Sequence, residues 1–171
     1  LDLPECAAIV PDAAVGAVVT GFNPLCSYHM LTYASMALTS DPSVLFLATN
    51  HDKLSPQGNA QGHLLPGGGM NMGALEYVTG RKATVVGKPN QLMLDALFDA
   101  RPELRRERTV MVGDRIDTDV LFGLGGGLTT LLVLSGCTSE AEMLAWEQPE
   151  QRPHFYAPSI AIFCDDEEQG V

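Results

Sequence analysis

The stretch Val110–Gly123, VMVGDRIDTDVLFG, holds the pattern on which the fold turns. Val110, Met111 and Val112 run into Gly113, Asp114, Arg115, Asp117 and Asp119 crowd the next positions, and an apolar segment then resumes. A short apolar run closed by glycine reads as a buried strand, with a helix beginning among the aspartates. In an open α/β sheet, ligands collect outside the carboxyl ends of the strands, so a carboxylate directly after a strand projects into that crevice. Asp114 occupies that place. Asp117 and Asp119 stand in the first helical turn, where acidic side chains also suit capping and the helix dipole. A hard cation such as Mg²⁺ takes one or two protein carboxylates together with waters and phosphate oxygens, which makes Asp114 the candidate ligand.

Upstream, ATVVGKPN (Ala83–Asn90) reads as another strand, ending at Lys88 and leading into a helix, with Pro89 suited to the first helical turn. The Lys88 ammonium is then expected at the same sheet edge as Asp114, beside helix N-terminal N–H groups that bind phosphate readily. A lysine after a strand is ordinary surface taken alone; its pairing with Asp114 on the following strand gives it meaning. QLMLDALFDA (Gln91–Ala100) reads as a helix, Arg101–Thr109 as a solvated connector, Leu128–Gly136 as a strand and Ser139–Glu147 as a helix.

The first part of the chain alternates in the same way. Ala14–Phe22 and Ser43–Asn50 read as strands, Ser27–Thr39 as a helix capped by Ser27, His51–Gly69 as a loop with a short strand near Leu64, and Met70–Gly80 as a helix closed by glycine. Alternating strands and helices predict an α/β protein. The boundary is placed after Lys82, giving a small unit over 1–82 and half of an open parallel sheet over 83–171. Neither PGGGMNMG nor GLGGGL forms G-x-G-x-x-G between a strand and a helix, so a dinucleotide fold is not supported. PGGG instead predicts a tight loop with a close backbone approach.

Composition bounds the partners. With 171 residues, 46% hydrophobic and 18% charged, the chain can bury a sizeable core. A formal net charge of -11 argues against nucleic acid or an anionic membrane, since both would be repelled. An anionic substrate requires local cations or a metal to reverse the field. No apolar run is long enough to cross a bilayer. Cys6, Cys26, Cys137 and Cys164 are far apart and read as free intracellular thiols. His29, His51, His63 and His154 lack zinc spacing. The closing DDEEQGV reads as a solvated acidic tail.

Together, VVGKPN, MVGDRIDTDVLFG, FLATNHDKLSP, LPGGGMNMGALE and LLVLSGCTS resemble a haloacid dehalogenase (HAD) superfamily phosphatase. The resemblance is to the branch of phosphoglycolate phosphatases, 4-nitrophenylphosphatases and pyridoxal phosphate phosphatase, and most to the plant and algal phosphoglycolate phosphatases. It implies the C-terminal part of a HAD-like, Rossmannoid core, preceded by most of an α/β C2-type cap domain that is incomplete at its start.

The same resemblance implies roles. Asp114 would be the Mg²⁺ ligand, Asp119 would support that site through water or hydrogen bonds, and Lys88 would hold the transferred phosphoryl group. Asn50, Asp52 and Ser55 would lie in the cap loop closing over substrate, with Ser55 where relatives vary with substrate. Arg115 would bridge core to cap or steady the aspartates. The family's two catalytic aspartates belong to a D-x-D-G-T-like segment that these residues do not include, since the one D-x-D string, at 117–119, opens a helix beyond Asp114. The expectation is therefore an N-terminally truncated chain, inactive alone, with an unpaired sheet edge beside the Asp114 strand. The whole protein is expected to hydrolyse 2-phosphoglycolate through an aspartyl-phosphate, as a homodimer paired through its caps, in cytoplasm or chloroplast. Pyridoxal phosphate or a general phosphomonoester is the alternative substrate. A noncatalytic phosphate- or metal-binding module is the alternative class. A receiver-type signalling domain fits poorly, because there the lysine follows the acidic cluster.

Overall fold

The computed structural model describes residues 3–58 and 62–164. The acidic run Asp165–Val171 lies outside the described residues. The chain divides into two compact units, Leu1–Gly87 and Lys88–Val171.

The first unit begins with a short helix α1 (Leu3–Ala7), followed by β1 (Ala17–Thr20), α2 (Tyr28–Ser40) and β2 (Leu45–Ala48). Then come β3 (Leu54–Gly58), β4 (Leu64–Pro66), α3 (Gly69–Thr79) and β5 (Thr84–Val85). β2 is the central strand of a parallel sheet, with Val18 opposite Phe46 and Leu47 opposite Thr84. Parallel neighbours need a crossover connection. α2 supplies it between β1 and β2, and the β3–β4 hairpin with α3 supplies it between β2 and β5. Ser27 caps α2, its side chain accepting from the Met30 N–H, and Gly80 closes α3 in the left-handed conformation at φ 68°.

Leu38 of α2, Leu75 of α3 and Val44 and Phe46 at β2 are buried together, with Val18, Leu31 and Ala34 packed against them. Arg81 ties this core to the end of α2. Its guanidinium donates to the carbonyls of Leu38 at 2.7 Å and Val44 at 2.6 Å. A cation there also faces the negative end of the α2 dipole.

Two expectations change here. Within His51–Gly69 the short strand expected near Leu64 is present as β4, but it pairs with an unforeseen β3, Leu54 opposite Pro66 and Ser55 opposite Leu65, in an antiparallel hairpin with a register irregularity. The irregularity and the small Gly and Pro residues hide the alternation by which a strand is read. The strand expected to open the second unit instead completes the first sheet. The Val86 N–H donates to the Ala48 carbonyl at 2.8 Å, so the compact unit runs to Gly87 rather than stopping after Lys82.

The second unit holds α4 (Leu92–Ala100), β6 (Val110–Gly113), a π-helical turn (Ile116–Val120) leading into α5 (Leu121–Gly125), β7 (Thr129–Val133), α6 (Glu140–Leu144) and β8 (Phe155–Ala157). The sheet is parallel in the order β6-β7-β8, with Val112 opposite Leu131 and Leu132 opposite Tyr156. Among the described residues β6 is an edge strand. β8 has no counterpart in the sequence reading, because Phe155 and Tyr156 are exposed and the strand is only three residues long. α4 starts at Leu92, so Pro89 stands ahead of the helix, and Asn90 Oδ1 accepts from the Leu92 N–H at 3.0 Å.

Two apolar groups flank this sheet: Ile116, Val120, Leu132 and Met143, and Leu94, Phe122 and Leu128. Arg106, expected in a solvated connector, is partly recruited. It lies 4.5 Å over the Phe98 ring and donates to the Gly126 carbonyl at 2.9 Å. α6 opens with a reciprocal capping box between Ser139 and Glu142. Thr130 is fully buried and bonded to His154, its Oγ1 2.9 Å from Nδ1, so this histidine joins β7 to the approach of β8.

Leu132 is 0% exposed at the centre of the second sheet. Leu132→Ala is expected to destabilise this unit by about 2–5 kcal/mol, against less than about 1 kcal/mol for half-exposed Val110→Ala. Urea denaturation followed by tryptophan fluorescence of Trp146 checks the difference.

Candidate active site

Three segments of the second unit supply the polar groups: Lys88 at its start, and two strand ends, Asp114–Asp119 after β6 and Gly136–Thr138 after β7. Gly113 ends β6, and a Cβ there would overlap the Asp119 side chain, so glycine lets the turn fold back on itself. The Val120 N–H reaches back to the Arg115 carbonyl at 3.1 Å, a five-residue step that makes the acidic turn a π-turn rather than the expected first turn of an α-helix. That wider turn brings Asp119 inward. Its Oδ2 accepts from the N–H groups of Asp114 at 3.1 Å and Arg115 at 3.2 Å.

Asp119 is buried, and its Oδ1 lies 2.5 Å from Lys88 Nζ. The Asp119 side chain is 6% exposed and the lysine side chain 41%, so the lysine covers the acid while its own side chain stays partly open to solvent. Lys88 therefore sits beside the acidic turn, but not through the shared sheet edge expected, since β5 and β6 belong to different sheets; its direct partner is Asp119. Asp117 is turned outward and forms a two-point pair with Arg115, Nε to Oδ1 at 3.0 Å and Nη2 to Oδ2 at 2.6 Å.

Asp114 packs against the loop after β7. Its Oδ2 accepts from the Cys137 N–H at 2.9 Å, and its carbonyl accepts from the Thr138 N–H at 3.0 Å. Burial alone would raise the Asp114 carboxyl, but the hydrogen bonds from the Cys137 backbone and thiol outweigh it and hold the group below the usual carboxylate range. The same contact pushes the Cys137 thiol up. Asp114 is thus an anion at neutral pH, partly sheltered and fixed in direction. A pocket of about 610 Å³ runs along this edge, lined among others by Arg115, Cys137, Thr138, Glu142 and Trp146.

Among the described residues no group of three or more His, Cys, Asp or Glu side chains is gathered to hold a metal. A cation that demanded an all-protein cage would find none. One ionised carboxylate with a neighbouring ammonium for phosphate fits Mg²⁺, which keeps several waters and shares its ligands with phosphate oxygens. Cys137 and Thr138 were absent from the sequence-level site. Their signal was available, since SGCTS follows a strand as directly as Asp114 and Lys88 do.

The first unit brings Asn50, Asp52 and Ser55 close along the chain after β2. Asn50 and Asp52 lie in the turn, while Ser55 belongs to β3 opposite Leu65 rather than to a loop. The PGGG glycines press on this turn: a Cβ at Gly67 or Gly69 would overlap the Asp52 or His51 carbonyl, and one at Gly68 the Asn50 amide. The close approach expected of PGGG is therefore made to the segment carrying Asn50 and Asp52. Asn50 Oδ1 is buried there without a hydrogen-bond partner among the described residues.

Residues 85–162 match the HAD-hydrolase-like family. The chain is 43% identical over 154 residues to phosphoglycolate phosphatase 1A, chloroplastic, of Arabidopsis thaliana, covering 89% of this chain and 41% of that protein. It is 40% identical over 156 residues to chronophin of Mus musculus, covering 88% and 51% respectively. Among solved structures, a 4-nitrophenylphosphatase of Thermotoga maritima superposes with a TM-score of 0.72 at 32% identity, over 88% of this chain and 55% of that one. The glycerol phosphate phosphatase of Mycobacterium tuberculosis in complex with magnesium gives 0.69 at 32%, over 83% and 40%. The chain spans about half the length of these relatives, or less. Parallel α/β units with Lys88 and Asp114 at strand ends, and similarity along most of its length to phosphatases of this kind, place the chain in the haloacid dehalogenase-like hydrolase family.

Proposed function

We propose that the protein to which these residues belong is a Mg²⁺-dependent phosphomonoester hydrolase acting on 2-phosphoglycolate. The observation that carries this reading is the arrangement of Asp114 and Lys88 around Asp119. A carboxylate kept ionised and directed by the Cys137 N–H stands on the same turn as a buried acid that holds the lysine ammonium at 2.5 Å. The 43% identity to a chloroplastic phosphoglycolate phosphatase favours that substrate over pyridoxal phosphate.

The chemistry asked of each residue follows from its surroundings. Asp114 holds the cation, which when bound offsets charge on the phosphoryl oxygens. Lys88 binds one of those oxygens and lowers the repulsion met by an incoming anionic nucleophile. Asp119 keeps the ammonium oriented and the Asp114 main chain fixed. Ser55, on the hairpin of the first unit, discriminates among the organic portions of phosphate esters, with Asn50 and Asp52 shaping the adjoining turn. The nucleophilic aspartate is assigned to a D-x-D-G-T-like segment outside these 171 residues.

Three outcomes are expected. The 171-residue chain, assayed with 2-phosphoglycolate or 4-nitrophenyl phosphate and Mg²⁺, shows no turnover above the uncatalysed rate, and substantial turnover would place the nucleophile inside it. In the full-length protein, Asp114→Asn removes both activity and the response to added Mg²⁺, and a retained magnesium response would move the ligand elsewhere. Replacing Ser55 by a bulkier residue changes the ratio of kcat/KM for 2-phosphoglycolate and pyridoxal phosphate by about tenfold or more, while the Mg²⁺ half-saturation stays put. Unchanged ratios would remove Ser55 from the specificity site.

A further inference from the structure

Asp114 is held by main-chain hydrogen bonds from two directions. Its N–H donates to Asp119 Oδ2 at 3.1 Å, and its carbonyl accepts from the Thr138 N–H at 3.0 Å. The carboxylate itself accepts from the Cys137 N–H at 2.9 Å. Gly136 lies against the same carboxylate. A Cβ at Gly136 would stand 2.6 Å from Asp114 Cγ and closer still to its Cβ and Oδ2, well inside contact distance. Gly136 is not among the left-handed glycines, so its conformation would accept alanine. What it provides is space, and that space is filled by the Asp114 side chain.

Backbone donors suit this task. An N–H group set by a strand end has no rotamer to order, and a donor that holds one carboxylate oxygen restricts how the other can turn toward a cation. We propose that Gly136–Thr138 is the positioning element of the metal ligand, Gly136 leaving room for the Asp114 carboxylate, the Cys137 N–H setting its direction and the Thr138 N–H fixing the Asp114 main chain. The proposal rests on Asp114 being that ligand. It assigns a role to a segment after β7 that holds no carboxylate of its own.

Mn²⁺ is the probe, with binding to the 171-residue chain read by electron paramagnetic resonance and by amide NMR, independently of turnover. Gly136→Ala is expected to weaken Mn²⁺ binding by about tenfold or more with an unchanged circular dichroism spectrum. Gly73→Ala is the control, because a Cβ there meets nothing within 4 Å. If Gly136→Ala does not fold, the unsubstituted chain decides. Substoichiometric Mn²⁺ should then broaden the Cys137 and Thr138 amide resonances, and Asp114→Asn should abolish the broadening. Binding by folded Gly136→Ala within about twofold of the parent, or broadening at Arg115 that spares Cys137 and Thr138, would overturn the positioning role. Undiminished Mn²⁺ binding by Asp114→Asn would instead overturn the ligand assignment.

Discussion

The contact between Lys88 and Asp119 is the constraint on which the second unit's polar edge depends. A carboxylate as buried as Asp119 is costly unless it is paired and hydrogen-bonded. It receives the Lys88 ammonium on one oxygen and the N–H groups of Asp114 and Arg115 on the other. The chain entering the unit is thereby joined to the turn leaving β6, across 31 positions of sequence. Removing the lysine would leave a buried anion, and removing the acid would free both the ammonium and the turn.

From that contact the rest of the edge follows. The π-turn that points Asp119 inward also leaves Asp117 outward, where Arg115 takes it. The inward acid fixes the Asp114 main chain, and the loop after β7 fixes its carboxylate. In a chain of net charge -11, the Lys88 ammonium at this edge is paired with Asp119, a buried acid.

The first unit is organised by different means. Arg81 binds the carbonyls of α2 and the start of β2, and the PGGG glycines let α3 begin hard against the turn that carries Asn50 and Asp52. Close backbone approach shapes that turn. The two units thus carry different kinds of candidate site: a charged strand edge in one and a hairpin beside a glycine-packed turn in the other.

Periodicity and end signals were legible in the residues themselves. The β-branched runs at Val18 and Leu131, the cap at Ser27, the glycine stop at Gly80 and the strand-end positions of Lys88 and Asp114 all lie in local sequence, because each depends on neighbours a few residues away. The hairpin over 54–66, the short strand β8 and the allegiance of β5 to the first sheet depend on pairing with distant strands, which short exposed segments do not announce. So too with the site. The sequence by itself determined which side chains stand at the strand ends and what cation and anion they suit. Only the tertiary structure decided that Lys88 meets Asp119, that Asp117 turns away, and that Gly136 and the Cys137 N–H hold Asp114. Those contacts join segments far apart in sequence, and their distances are set by packing rather than by spacing along the chain.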